Sequence, residues 1–378
     1  MKSVPQLTTP SNKPPCRAVF SFLARRLRLI IRSDQDHLNH NGNAVIARTT
    51  IAKAAWLAFS SPKKYDDFKY HPTPIHMKTK IPHPIPYQGS KRNLAEKICT
   101  LLPDGINTLY EPFAGSAAIT IYAAHHNMAK EFVIADSLPE LVELWREIIE
   151  NPTKTAQKYE CIWSGNIDNS PSYFNEVRER FNSSRDPVDL LYLIVRCVKN
   201  AVRFNKNGAF TQSSDKRRLG TNPKKMSVSI HSVSSLLKGR TRVVCGDFKK
   251  TIEDAGINDF VYMDPPYHGT TYGKDKRYFT QLERESLIDG ISGLNAKNIP
   301  FLLSYDGMTG DTVYGEPLPD NLEMRRLLID AGRSSQATLN GNHSTTFESL
   351  YVSKNITNRI EQEWSDSSTS IEKMFAAA

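Results

Sequence analysis

The 378 residues suffice for one large α/β domain with an insertion or for two domains, and 39% hydrophobic with 24% charged residues is ordinary for a globular chain. No run approaches the roughly 18 apolar residues of a membrane span, and the scattered cysteines Cys16, Cys99, Cys161, Cys197 and Cys245, with no C-x-x-C pair, argue against a disulfide framework or a zinc site and suit a reducing cytoplasm. The net charge of +9 is unevenly placed: residues 1–76 hold 12 Lys and Arg against 4 Asp, and residues 196–250 hold 14 Lys and Arg against only Asp215 and Asp247.

Residues 1–76 are unlike the rest. They carry Pro-rich stretches (Lys13-Pro14-Pro15, His71-Pro72-Thr73-Pro74) and a basic apolar stretch, Ala18 to Arg32. Arg25, Arg26 and Arg28 interrupt that stretch and argue against a secretory signal; an organelle presequence or any basic tail fits the composition. The segment is expected to be a largely disordered extension, with Met77 as the true or an alternative start; a native chain whose intact mass begins near Met1 sinks that expectation.

From residue 85 the pattern alternates. A helix is predicted over Arg92 to Leu102, ended near Pro103, then a strand from Thr108 to Glu111. The small-residue turn Ala114-Gly115-Ser116-Ala117 opens a second helix. Glu131 to Ala135 reads as a strand closed by Asp136, followed by a helix from Leu138 to Glu150. Residues 151–235 break the alternation and read as an inserted, mainly helical domain with helices such as Pro187 to Ala201. Strands return at Arg242 to Cys245, Phe260 to Met263 and Pro300 to Ser304. Such alternation implies a largely parallel sheet with right-handed crossovers. The expected domains are therefore 77–150 with 236–357, the insertion 151–235, and a flexible tail 358–378.

The strand ends carry the candidate chemistry. In Glu111-Pro112-Phe113-Ala114-Gly115, the glycine permits close approach of a ligand and the helix start supplies free N–H groups; a helix-packing glycine explains it equally well. No G-x-G-x-x-G is present, so a dinucleotide site is not supported. Asp136 stands where an acid accepts ribose hydroxyls, or where it caps the next helix. Asp247-Phe248 offers an acid for an adenine amino group and a covering ring, or a cap and a core aromatic. Ligands of open α/β sheets bind outside the carboxyl ends of the strands, so Gly115, Asp136, Asp247 and Asp264 should converge on one cleft.

Asp264-Pro265-Pro266-Tyr267 follows the apolar run Phe260-Val261-Tyr262-Met263. An exocyclic aromatic amine is a poor nucleophile because its lone pair is delocalised into the ring. The Asp264 carboxylate and the Pro265 carbonyl can each accept one N–H, which favours a tetrahedral nitrogen and frees the lone pair. That gain arises mainly in the transition state. The prolines fix φ and remove competing donors. Tyr267 offers a stacking face, worth roughly 1–3 kcal/mol per base. A strand-to-turn segment with no function is the plain alternative.

These blocks together resemble the Dam-type, alpha-group adenine-specific DNA methyltransferases (the D12 class), over about residues 81–355. Tyr87-Gln88-Gly89-Ser90-Lys91 resembles the aromatic-x-G-G-K cofactor block, with Ser90 for the second glycine. Glu111 to Ser116 resembles the E-P-F-x-G-x-G turn, with Ala117 for the last glycine. Asp136 matches the ribose-binding acid, Asp247-Phe248 the D-F pair, Asp264 to Tyr267 the catalytic D-P-P-Y, and His268-Gly269-Thr270-Thr271-Tyr272 the following loop. The resemblance implies a Rossmann-like fold, S-adenosyl-L-methionine held by Tyr87, Gly89, Lys91, Glu111, Phe113, Gly115, Asp136, Asp247, Phe248 and Asp264, and no metal. Lys91 would meet the cofactor carboxylate or a structural acceptor.

Within the insertion, Arg203-Phe204-Asn205-Lys206-Asn207-Gly208-Ala209-Phe210 resembles the family's R-[YF]-N-x-x-G-x-F target-recognition block. Arg203 can read guanine edges or phosphate, and Phe204 can wedge where a base leaves the stack. Lys216, Arg217, Arg218, Lys224 and Lys225 supply phosphate contacts. Thr211-Gln212-Ser213 departs from the usual N-x-P continuation and leaves the target sequence open. Ser335 to Gly341 and Glu348 to Tyr351 resemble the C-terminal hairpin.

The resulting expectation is a site-specific DNA adenine-N6 methyltransferase acting on a flipped-out adenine in duplex DNA by direct displacement, without a covalent enzyme intermediate. A restriction-modification or DNA-marking role, a cognate restriction endonuclease, a monomeric state and a cytoplasmic, nucleoid-associated, bacterial-type location accompany it. The rivals are cytosine-N4 methylation, RNA methylation, and a non-catalytic DNA-binding protein on a methyltransferase scaffold.

Overall fold

A computed structural model describes residues 80–165, 171–266, 284–309, 312–314, 317–333, 345–365 and 376–377. The chain divides into two units, Met1–Met77 and Lys78–Ala378, and all described residues belong to the second. The expectations for residues 1–76, for Tyr267, for the loop 268–272 and for Ser335 to Gly341 lie outside the described residues.

Parallel pairing orders five strands as β3 (Thr241–Cys245), β2 (Ala129–Asp136), β1 (Ile106–Glu111), β4 (Phe260–Met263) and β5 (Phe301–Thr309). Beyond β5, β8 (Thr345–Ser353) runs antiparallel, and β7 (Met324–Arg333) is antiparallel to β8. Two short pieces, β6 (Thr312–Tyr314) on β5 and β9 (Ala376–Ala377) on β7, complete the sheet. The chain winds outward from β1 through β2 to β3, then returns to β4 on the other side of β1. The strand order therefore reverses between β1 and β4, which opens the crevice where ligands of open α/β sheets bind.

Alternation sorts the strand residues onto two faces. Leu109, Phe132, Ile134, Phe260, Tyr262 and Leu302 join one apolar core, whereas Tyr110, Val133, Val261, Met263, Phe301 and Leu303 join the other. Both faces of β4 are buried, as its unbroken apolar run requires. The first core includes α3 (Pro139–Glu150) and the helices of the insertion, α4 (Pro152–Ser164), α5 (Pro171–Ser184), α6 (Pro187–Arg196) and α7 (Pro223–Leu237). The second packs against α8 (Phe248–Ile252) and α9 (Arg284–Ala296). The insertion's helices thus share a core with the sheet. Proline at the first helical position starts α3, α4, α6 and α7, where the absent N–H is not needed.

Several elements differ from the sequence prediction. The helix expected over Arg92 to Leu102 is a 3₁₀ turn, Lys91–Asn93, followed by a short α1 (Ala95–Cys99). The helix expected to reach Ala201 stops at Arg196: Cys197 is extended and bridges Ser214, and the Val198 N–H donates to the Ser213 carbonyl at 3.0 Å. The Asn200 side chain then donates to the Ile194 carbonyl at 2.9 Å and satisfies the helix end. β5 continues past Ser304 through a bulge, where Asp306 (φ 54) is buried against Arg326 at 2.9 Å and the Tyr351 hydroxyl at 2.6 Å. Finally, α10 (Lys354–Ser365) runs through the boundary expected at 357.

Candidate active site

The end of β1 shapes one wall of the crevice. Gly115 (φ 49) and Ala117 (φ 48) both adopt left-handed backbone in the turn before α2 (Ala118–His125). The turn is tied on all sides: Ala114 N–H donates to the Ala135 carbonyl at 2.8 Å, Gly115 N–H to Asp136 Oδ2 at 3.1 Å, and Trp145 Nε1–H to the Gly115 carbonyl at 3.0 Å. A Cβ on Gly115 would lie 3.5 Å from the Tyr87 ring, an ordinary contact, so the left-handed backbone rather than lack of space is what favours glycine here. Ala117, where the resemblance expects glycine, holds the same backbone at a strain of about 1–2 kcal/mol. Ser90, the other departure, hydrogen-bonds Ser116 at 2.6 Å and docks the Tyr87–Lys91 block onto this turn.

The N-terminus of α2 has no capping side chain of its own. Glu111 supplies one from the end of β1, accepting the Thr120 N–H at 2.8 Å. Burial raises the Glu111 carboxyl to about 7, opposed by its hydrogen bonds to Thr120 and Ile119 and reinforced by the nearby Asp264. The folded chain thus holds a proton that the unfolded chain releases above the ordinary carboxylate value, and stability falls as pH rises across that window. His83 acts in the opposite sense. Burial, with Arg92 and Lys80, lowers it to about 4, so stability falls as pH drops from the ordinary histidine value towards 4. Urea unfolding of Glu111→Gln should show the wild-type decline above pH ~5 reduced, by up to about 3 kcal/mol. His83→Gln should remove the acid-side decline. A wild-type-minus-variant difference that is flat with pH contradicts either assignment.

Across the crevice, Lys91 brings the two distant blocks together. Its ammonium lies 2.8 Å from Asp264 Oδ1, 3.4 Å from Glu348 Oε2 and 3.4 Å from the Gly89 carbonyl. Lys91 is only 7% exposed, whereas Asp264 at 19% stays open to the crevice. Among the described residues Asp264 Oδ1 is thus a nearer acceptor to Lys91 than Glu348 or the Gly89 carbonyl. Pro265 is buried behind it, and Pro266 is half-buried. Sequence reasoning placed Glu348 in a hairpin without a role. The available signal was a charged residue on the same strand face as Leu350 and Val352, both core residues.

The other strand ends differ in what they bond and in what they leave exposed. Both Asp136 oxygens take backbone N–H bonds, from Gly115 at 3.1 Å and Leu138 at 3.0 Å, and burial raises its carboxyl above the usual range. The Ser137 N–H also bonds this carboxylate, so much of its acceptor capacity is taken up by the backbone. Asp247 is exposed and caps α8 through the Lys249 N–H at 2.9 Å. Phe248 is a buried core ring. It meets Phe113 at 5.1 Å between centroids and packs so closely on Gly290 that a Cβ there would lie 2.6 Å away. Phe113, half-buried, is the member of that pair with surface left to offer.

In the insertion, Phe204 bridges Phe210 as a hairpin, and the Asn205 side chain holds the tip by accepting the Asn207 and Ala209 N–H groups at 2.9 and 3.0 Å. Asn182 of α5 grips the returning arm: it accepts the Phe210 N–H at 2.8 Å and donates to its carbonyl at 3.3 Å. The Phe204 ring packs on Phe181 and Phe210, and Arg203 is half-buried; Lys206 is exposed at the tip. Asp215 gathers Arg217 at 3.3 Å and Arg218 at 2.9 Å, and its backbone N–H and carbonyl both bond Arg196. Lys216, Lys224 and Lys225 are exposed. Elsewhere in the basic block Lys238 pairs with Glu150, Arg242 with Asp254, Lys249 with Asp289, and Arg240 stacks on Phe132, while Lys250 is exposed. The charge open to a polyanion is thus concentrated between Lys199 and Lys225.

Among the described residues no group of three or more His, Cys, Asp or Glu side chains could hold a metal, and no helix is long and apolar enough to cross a membrane. The sequence model of the D12 class N6 adenine-specific DNA methyltransferases matches residues 87–364. Type II methyltransferase M1.LlaDCHI of Lactococcus lactis subsp. cremoris is 29% identical over 191 residues, covering 48% of this chain and 64% of that protein. Retron Ec67 DNA adenine methylase of Escherichia coli is 24% identical over 262 residues, 67% of this chain and 88% of that protein. Type II methyltransferase M.FokI of Planomicrobium okeanokoites is 26% identical over 238 residues, 59% of this chain but only 35% of that protein. A match that takes in the Tyr87–Lys91 block, the β1 turn and the Asp264 segment, on a sheet whose order reverses where they meet, is a family-wide correspondence: the chain belongs to the D12 class N6 adenine-specific DNA methyltransferase family.

Proposed function

We propose that the protein transfers a methyl group from S-adenosyl-L-methionine to the exocyclic N6 of an adenine flipped out of duplex DNA. The observation that carries this reading is Lys91 Nζ at 2.8 Å from Asp264 Oδ1, which joins the Tyr87–Lys91 block to the D-P-P segment at the point of strand reversal. The residues present fit the donor. Gly115 and the Tyr87 ring stand side by side at the end of β1, Asp136 ends the neighbouring β2, and Phe113 is only half-buried. When bound, the donor supplies a methyl group already activated on a positively charged sulfur. Asp264 and the Pro265 carbonyl accept the two amino hydrogens of the target and favour its tetrahedral form. Pro265 and Pro266 have no backbone N–H to compete for those acceptors.

The hairpin at Asn205–Gly208 and the cations at Lys216 to Lys225 contact DNA, with phosphate attraction supplying affinity and Arg203 reading a base edge or a phosphate. Relatives named Type II methyltransferase support a restriction-modification pairing, and those named DNA adenine methylase support a DNA-marking role.

The test is incubation with isotopically labelled donor and unmethylated plasmid, followed by digestion to nucleosides and mass spectrometry. Labelled N6-methyldeoxyadenosine is expected. Label on cytosine N4, preference for structured RNA in competition with duplex DNA, or DNA binding without any transfer each overturns the reading in a distinguishable way.

A further inference from the structure

We propose that Glu348 is a positioning residue for the amine site, acting through Lys91 on Asp264; this rests on the methyl-transfer reading above. Glu348 stands on β8 between Gly307 of β5 and Ile329 of β7, so the antiparallel part of the sheet delivers it to the crevice. Alternation puts it on the face of Leu350 and Val352, which are 0% and 1% exposed. A carboxylate on that face needs a partner, and among the described residues Lys91 faces it at 3.4 Å. The facing oxygen, Oε2, is buried and has no hydrogen bond of good geometry, so its contact with the ammonium is chiefly one of charge.

The charge count explains what this does. Asp264 and Lys91 alone form a neutral pair, in which the ammonium hydrogens compete with the target amine for the Asp264 lone pairs. Adding Glu348 makes the group of three formally −1. The second carboxylate draws on the same ammonium, so Asp264 remains a strong acceptor. As the amine nitrogen takes the methyl group it becomes positively charged before it sheds one proton, and a net negative group beside it stabilises that charge where a neutral pair does not. Glu348 touches neither the target nor the donor in this scheme; its influence passes through Lys91.

Single-turnover methyl transfer, KM for DNA and donor, and thermal unfolding are measured for wild type, Glu348→Gln, Glu348→Ala, Lys91→Gln and the double variant Lys91→Gln with Glu348→Gln. Expected is a loss of roughly 10–30-fold in the transfer rate for Glu348→Gln, with both KM values within about twofold and the unfolding temperature little changed. On the Lys91→Gln background the same change is expected to lower the rate no further. A Glu348→Gln rate within about twofold of wild type overturns the inference. So do losses that track KM or unfolding in both the Gln and Ala variants, or losses that are additive across the cycle. Wild-type protein that transfers no methyl group overturns the reading on which the inference stands, and the inference with it.

Discussion

Asp264→Ala should lower methyl transfer by at least about 10³-fold, roughly 4 kcal/mol of transition-state stabilisation, while DNA affinity stays within about twofold. In the proposed reaction Asp264 is the anionic acceptor, and its side chain is 19% exposed while Lys91 is 7% exposed. Removing it leaves the amine with the Pro265 carbonyl and takes the nearer carboxylate away from Lys91. In the proposed reading the cations of the insertion carry DNA attraction, so the two readouts separate. Asp264→Asn keeps the shape and one neutral acceptor, and should fall between wild type and alanine. It also separates chemistry from folding, because the alanine variant loses an ion pair that is largely buried. Parallel loss of DNA affinity and rate in the asparagine variant would remove Asp264 from the catalytic role.

The second large effect concerns salt. Replacing Lys206, Lys224 and Lys225 together with glutamine should reduce the slope of log affinity against log salt by about 2.7, since each phosphate contact contributes about 0.9. At physiological salt the affinity should fall by about 10²–10³-fold. All three are exposed, at the hairpin tip and on the first turn of α7. A matched control is Lys238, Arg242 and Lys249 changed together to glutamine. It removes the same net charge, but those side chains already face Glu150, Asp254 and Asp289. Its slope should match wild type. Equal slopes for both triple variants would show net charge acting at a distance rather than phosphate contact, and would sink the assignment of the insertion.

Much of the candidate site was legible as short strings because its acidic groups follow buried strands directly. Glu111, Asp136 and Asp264 end or follow β1, β2 and β4, and an apolar run stopped by an acid is visible without a structure. The helix reaching from Pro187 was over-extended for a different reason. Its propensity continues to Ala201, but non-local pairing of Cys197 with Ser214 and the Asn200 cap end it at Arg196. The basic block was legible as a count and misleading as a surface, since pairing with Glu150, Asp254, Asp289 and Asp215 depends on contacts far along the chain or on side-chain direction.

The sequence by itself determined the chemistry at the strand ends: a glycine turn after β1, an acid after β2, and an anionic acceptor before two prolines after β4. These are local properties, set by residue type and by the alternation of buried strands. Only the tertiary structure decided which of them act together. Strand order places β1 beside β4, sheet register carries Glu348 from β8 to the same crevice, and the Tyr87–Lys91 block folds back so that Lys91 lies between Asp264 and Glu348. Proximity of that kind follows from how strands pair and cross over, and no single stretch of sequence encodes it.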